Sequence, residues 1–206
     1  MPHIDYYFSV TSPWAYIGHP VFADVARAHR CTVTYKPVLL PKLFPETGGL
    51  TLDKRHPLRQ QYRMIELQRW RDKRGLTFNL QPKYFPFDPT VADCMVIAAA
   101  ADGHEVEPFV RLCMKSVWEA ERNLADLATL RELAESCGLP AAKLLERAAT
   151  DPMRAAYERN RLDAIKDGVV GSPGFVLNGE PFWGQDRIEL LADALRSGRG
   201  PYRAEV

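Results

Sequence analysis

The sequence predicts an α/β fold in which both ends of the chain build one mixed sheet and a helical block lies between them. Two observations predict it: residues 1–38 run through strand, helix and strand signals, and residues 168–206 run through strand, tight turn, strand and helix signals. The residues between them carry three- and four-residue apolar spacing and little β signal.

Residues 4–10 (IDYYFSV) are aromatic and β-branched, which suits a strand, and Thr11-Ser12-Pro13 ends the run. Proline is tolerated at the first helical position, where an N–H would have no partner, so Pro13 opens a helix with Ser12 as its N-cap. Trp14, Ile17, Val21, Val25 and Ala28 recur at helical spacing and are expected to form its core face. Residues 32–38 alternate as a second strand, which a strand–helix–strand connection places parallel to the first.

Residues 39–56, with Pro41, Pro45 and Gly48-Gly49, read as a long irregular loop, a kind of segment that often carries function. A charged helix is expected over 58–74, ending at Gly75, and further helices over 89–101, 107–121, 127–137, 141–148 and 152–167. Residues 174–177 then read as a strand, Asn178-Gly179 as a two-residue hairpin turn, and 181–183 as the returning strand. A last helix over 186–196 places Ile188, Leu191 and Leu195 on one face. The order βαβ, helical block, ββα is that of a thioredoxin-like fold interrupted by an all-helical insertion. Residues 1–38 and 168–206 would form the thioredoxin-like domain, and 39–167 the connecting loop and insertion.

Composition narrows the function. The chain has 206 residues, 46% hydrophobic and 26% charged, and 27 Lys+Arg against 26 Asp+Glu give a net charge of +1. Such a balance offers no electrostatic footprint for nucleic acid. Arginines gather between Arg55 and Arg74, but Glu66 and Asp72 interrupt them, and they read as a solvated helix face. Cys31, Cys94, Cys113 and Cys137 form no CxxC pair, and the five histidines show no ligand spacing, so neither a redox centre nor a metal site is expected. The N-terminus MPHIDYYFSV has no basic region followed by an apolar stretch, and no apolar run is long enough to span a bilayer. A reducing cytoplasm fits these features.

Three local features carry chemistry. Ser12-Pro13 opens a helix whose free N–H groups and positive dipole end stabilise an anion such as a thiolate. Serine cannot supply that thiolate, but its hydroxyl can donate to one that a ligand brings. Ser172-Pro173 at the start of a strand invites a cis bond that leaves the Ser172 backbone groups free to pair with an extended peptide. Trp183-Gly184-Gln185-Asp186 opens the last helix; Asp186 with Glu189 three residues on reads as a capping box, and the same terminus can receive a ligand carboxylate, with Asp186 facing an ammonium. A tripeptide with a thiol, a backbone amide and a zwitterionic end would use all three. Glutathione has that inventory.

The segments IDYYFSVTSPWAYIG, LQRWRDKRG, KYFPFDP and GVVGSPGFVLNGEPFWGQDRIELL resemble the 2-hydroxychromene-2-carboxylate isomerases, relatives of the kappa-class glutathione transferases and of DsbA. The resemblance covers nearly the whole chain. It implies a glutathione cofactor whose sulfur faces Ser12, whose cysteinyl backbone pairs at Ser172 beside Pro173, and whose γ-glutamyl end lies at Trp183, Gly184, Gln185 and Asp186. It also implies a small aromatic carboxylate substrate, with Tyr84 lining its site, and a homodimer. Where the isomerases carry an Asn-Arg pair in the long loop, this chain has Asp53-Lys54, and an Asp there repels a carboxylate unless Lys54 or Lys42 offsets it.

The reaction implied is cis–trans isomerisation by reversible thiolate addition to a conjugated carbonyl compound. A kappa-like transferase and a non-catalytic glutathione- or peptide-binding module are the competing readings. A DsbA-like oxidoreductase lacks its CxxC here.

Overall fold

A computed structural model describes residues 1–204. Strand β1 (His3–Phe8) leads into helix α1 (Pro13–Ala28), which returns to β2 (Thr32–Pro37). The long loop is partly ordered: a short helix α2 (Leu40–Leu43) runs into a 3-10 turn at Phe44–Glu46, and a second 3-10 turn forms at Leu52–Lys54. Helices α3 (Pro57–Lys73), α4 (Thr90–Ala101), α5 (Glu107–Trp118), α6 (Leu127–Ser136), α7 (Ala141–Ala148) and α8 (Asp151–Lys166) follow. The chain ends in β3 (Gly174–Leu177), β4 (Glu180–Trp183), a 3-10 turn at Gln185–Arg187 and α9 (Ile188–Ser197).

The sheet order is β2-β1-β3-β4. β1 lies parallel to β2, with Tyr6 opposite Tyr35, and antiparallel to β3, with Tyr6 opposite Phe175. The hairpin forms at Asn178-Gly179, both with positive φ as such a turn requires, and sets Leu177 opposite Glu180. Because strand side chains alternate, the central strand serves two cores. Ile4, Tyr6 and Phe8 face the larger core, where Tyr6 stacks on Phe175 at 5.1 Å between ring centroids and Phe22 of α1 closes on Phe175 at 4.6 Å. Tyr7 faces the other side, packing with Val38, Leu43, Ala164 and Val176, and its hydroxyl donates to Asp167 at 2.7 Å.

Two expectations need correction. The buried face of α1 is centred on Ala15, Ile17, Phe22 and Ala26; Trp14, Val21 and Val25 sit at its margin and Ala28 is exposed. The apolar residues of this helix cover more than one face, so spacing did not settle the phase, and stacking on the sheet aromatics did. Asp186 and Glu189 form no capping box. Asp186 lies inside the 3-10 turn, α9 starts two residues later with Arg187 as its cap residue, and no side chain caps it.

Candidate active site

The junction after β1 and the junction before β3 meet through hydrogen bonds. Ser12 caps α1: its Oγ accepts from Ala15 N at 3.2 Å, and its carbonyl receives Tyr16 N at 3.0 Å. The same hydroxyl donates to the Ser172 carbonyl at 3.3 Å, while Ser172 Oγ receives Ser9 N at 3.1 Å. The Ser172–Pro173 bond is cis, as its sequence suggested, and Pro173 passes the connection on by accepting Gly184 N at 2.9 Å. Ser12, Ser172, Pro173 and Gly184, distant in sequence, therefore form one hydrogen-bonded series.

The free valences of this series differ from expectation in one respect. Ser172 was expected to offer both backbone groups, but its carbonyl is engaged by Ser12. Its N–H donates to no protein group among the described residues, and the same holds for the N–H of Trp14 and those of Gln185 and Asp186. Helix and turn termini leave such donors open. They lie along one cleft of about 1330 Å³, which Ser12, Ser172, Trp183, Gly184, Gln185 and Asp186 all line.

Close packing fixes the far end of that wall. A Cβ on Gly18 would come 2.7 Å from Gln185 Cβ, so glycine lets the 184–186 turn settle against α1. Gln185 is buried, its side-chain oxygen lies 3.4 Å from Arg74 Nη2, and the residue lines the cleft. Gly184 has φ of 109°, a left-handed conformation that favours glycine, and a Cβ there would strike Asp186 Oδ1 at 2.5 Å. Asp186 is exposed and receives Arg187 Nη1 at 2.6 Å.

Across the cleft stand the long loop and α3. Asp53 and Lys54 line it. Lys42 and Tyr84 do not. Lys42 is exposed on α2, which packs toward α8; there Arg161, and then Lys42, hold the Glu158 carboxyl below its usual range. Tyr84 is exposed under the Lys83 ammonium, 5.1 Å from its ring centroid, and its neighbours Phe85 and Phe87 take the inward positions.

The arginine run also departs from the reading of a solvated face. Arg55, Arg59 and Arg63 line the cleft. Arg63 is half-buried beside Met64, and burial first, then the nearby Arg55, push its guanidinium down to about 10. Charge spacing gave no warning because Glu66 looks like a neutralising neighbour; in the fold it pairs with Arg69, at 2.5 Å. Trp14, Trp70 and Phe44 also line the site without having been singled out. No cysteine lines it, and the buried thiols of Cys94 and Cys113 are pushed up by desolvation.

A sheet carrying a helix N-terminus beside a cis-proline loop defines a class, and the match to its family model is direct: residues 3–196 match the DSBA-like thioredoxin domain, and the chain belongs to that family. Within it, the chain is 29% identical over 194 residues to the 2-hydroxychromene-2-carboxylate isomerase of Sphingobium xenophagum, covering 93% of this chain and 97% of that protein. The solved structure of a 2-hydroxychromene-2-carboxylate isomerase superposes with a TM-score of 0.79 at 19% identity, covering 95% of each chain. The cytosolic disulfide reductase DsbM of Pseudomonas aeruginosa, solved with GSH, superposes with a TM-score of 0.70 at 19% identity, over 95% of this chain and 96% of that one. These curated relatives are named as isomerases, and the family model places the chain among DSBA-like thioredoxin domains. Among the described residues no helix is long and apolar enough to cross a membrane.

Proposed function

We propose that this chain is a glutathione-dependent cis–trans isomerase acting on an aromatic carboxylate of the 2-hydroxychromene-2-carboxylate type. The observation that carries the reading is the Ser12–Ser172–Pro173–Gly184 series, which sets four open backbone donors along one wall of a cleft with no thiol of its own.

Glutathione fits those donors. Ser172 N–H suits the carbonyl of the cysteinyl residue. Gln185 N–H and Asp186 N–H suit the γ-glutamyl carboxylate, for which the glycine conformation at Gly184 leaves the approach clear. The exposed Asp186 carboxylate is positioned for the ammonium beside it. Bound there, glutathione supplies a thiolate whose reversible addition to a conjugated carbonyl compound turns a double bond into a rotatable single bond.

The chain's own part is electrostatic. Trp14 N–H and the positive end of α1 favour an anionic sulfur. Ser12 adds a donor when its proton turns from the Ser172 carbonyl toward the ligand; at 3.3 Å the bond it gives up is a long one. Lys54 and the arginines across the cleft oppose the negative charge of Asp53 and attract a carboxylate. The apolar walls at Trp14, Phe85 and Phe87 suit an aromatic ring.

The test is a product assay with 2-hydroxychromene-2-carboxylate. Conversion to the open-chain isomer with glutathione fully recovered is expected. Stoichiometric loss of glutathione would overturn the reading in favour of a conjugating transferase.

A further inference from the structure

The α3 side of the cleft holds more positive charge than one carboxylate calls for. Arg55, Arg59 and Arg63 all face the cleft, and none forms an ion pair with a carboxylate among the described residues. Arg55 is held in place, its Nε donating to the Leu50 carbonyl at 2.9 Å and its guanidinium lying 5.6 Å from the Phe44 ring centroid. Its remaining nitrogens meet no hydrogen-bond or ion-pair partner among the described residues.

This arrangement works against the stability of the helix that carries it. Cations are unfavourable at the positive end of a helix, and α3 has no acidic residue in its first turn to offset them. Arg59 and Arg63 repeat at i and i+4, where like charges repel. Burial and then Arg59 make the Arg55 cation harder to hold, and burial and then Arg55 do the same to Arg63. Asp53, Glu66 and Asp186 also line the cleft, but Glu66 pairs with Arg69 and Asp186 with Arg187, so three arginines around one cavity that share no ion pair with these carboxylates suit an anion brought in from outside.

We propose that Arg55, Arg59 and Arg63 form a dianion subsite, so that the preferred acceptor carries two acidic groups on its aromatic frame rather than a single carboxylate. The inference rests on the reading of this cleft as the isomerase site. A single carboxylate engages one guanidinium bidentately and leaves two cations facing each other. A second acidic group, carboxylate or ionised phenol, removes that repulsion.

The experiment is a fluorescence titration of the whole chain, read from Trp14, Trp70 and Trp183 in the cleft wall, with benzoate and with benzene-1,2-dicarboxylate. The dicarboxylate is expected to bind at least about tenfold more tightly, one extra charge-assisted contact of ~1.4 kcal/mol. In Arg63→Met and Arg55→Met the preference falls to within about threefold, while affinity for glutathione stays within about twofold. Arg59→Met, at an exposed position, gives the same direction should the half-buried variants fold poorly. Equal affinity for the two probes in the unaltered chain overturns the proposal. So does a loss of glutathione affinity in the variants, which would assign the arginines to the glycyl carboxylate of glutathione. Because no turnover is measured, absence of isomerisation with the dicarboxylate preference intact would sink the reaction and leave the subsite standing.

Discussion

At Ser12 two demands meet on one hydroxyl. As a cap it accepts Ala15 N–H, and its proton goes to the Ser172 carbonyl; as a sulfur partner it must send that proton outward. Ser12→Ala removes both roles, and they separate by readout. Loss of the cap is expected to cost about 1 kcal/mol of stability, measured by denaturant unfolding. Loss of a donor to an anion, worth about 1.5–3 kcal/mol, is expected to raise the pKa of the bound thiol by about 1–2 units, read from thiolate absorbance against pH. A stability loss with an unchanged thiol pKa would leave Ser12 a cap and nothing more. Gly18 tests the opposite wall. Gly18→Ala drives a Cβ against Gln185 and toward Ile188 Cδ1, so the 184–186 turn must shift. Overpacking of this kind costs about 1–3 kcal/mol, and the shift is expected to weaken glutathione binding about tenfold in calorimetry. Destabilisation without any change in affinity would remove that turn from the ligand site.

Elements hold these residues in place, and α1 is held from behind by a polar contact with α5. His19, buried, sets Nε2 3.2 Å from Glu107 Oε1, and Arg111 reaches the same carboxylate at 2.5 Å. The hydrogen bond from His19, then that from Arg111, hold the Glu107 carboxyl down at about 2, and burial lowers the His19 pKa. Both shifts act in one direction. A carboxylate with a folded pKa below its unfolded value gives stability above about pH 4.5 that disappears as pH falls toward 2. A histidine kept neutral adds a loss that begins near pH 6.5, where the unfolded chain binds a proton that the folded one refuses. Glu107→Gln is therefore expected to lower stability at pH 7 by about 2–3 kcal/mol and to flatten the decline between pH 4.5 and 2, measured by urea unfolding across pH. An equally steep decline in the variant would place the acid sensitivity elsewhere.

Element by element, what the sequence made legible was what neighbours in the chain decide. Ser12-Pro13 and Asn178-Gly179 were readable because a cap and a two-residue turn depend on local backbone geometry. The core phase of α1 was not, because several of its faces are apolar and the sheet aromatics chose among them. The arginine face of α3 was misread for a related reason: whether Glu66 neutralises Arg63 or Arg69 is a matter of rotamer and packing, not of spacing. Tyr84 and Lys42 lie outside the cleft for reasons of the same kind: the sequence did not announce the short helix α2 whose rotation turns Lys42 to solvent, and a one-residue change of direction in the irregular segment around Tyr84 does the same there.

At the scale of the molecule, the cleft exists only because the two ends of the chain share a sheet. β1 is central, flanked on one side by β2 and on the other by β3, which arrives after the whole helical block has been threaded through. Phe175 is the side chain that joins the halves: it stacks on Tyr6 of β1, packs at a tilt against Phe22 of α1, and is fully buried. It does not line the cleft. Phe175→Ala is expected to cost about 3–5 kcal/mol, a large part of the stability of an ordinary domain. Because both halves lose the same contact, far-ultraviolet dichroism and the fluorescence of Trp14 and Trp183 are expected to report one coincident transition at lower denaturant. Two separated transitions would mean that the sheet halves hold their structure independently. Glutathione, binding only the joined state, is expected to raise the midpoint of the variant by the same free energy as that of the unaltered chain, since the series from Ser12 to Gly184 is intact once the sheet has closed.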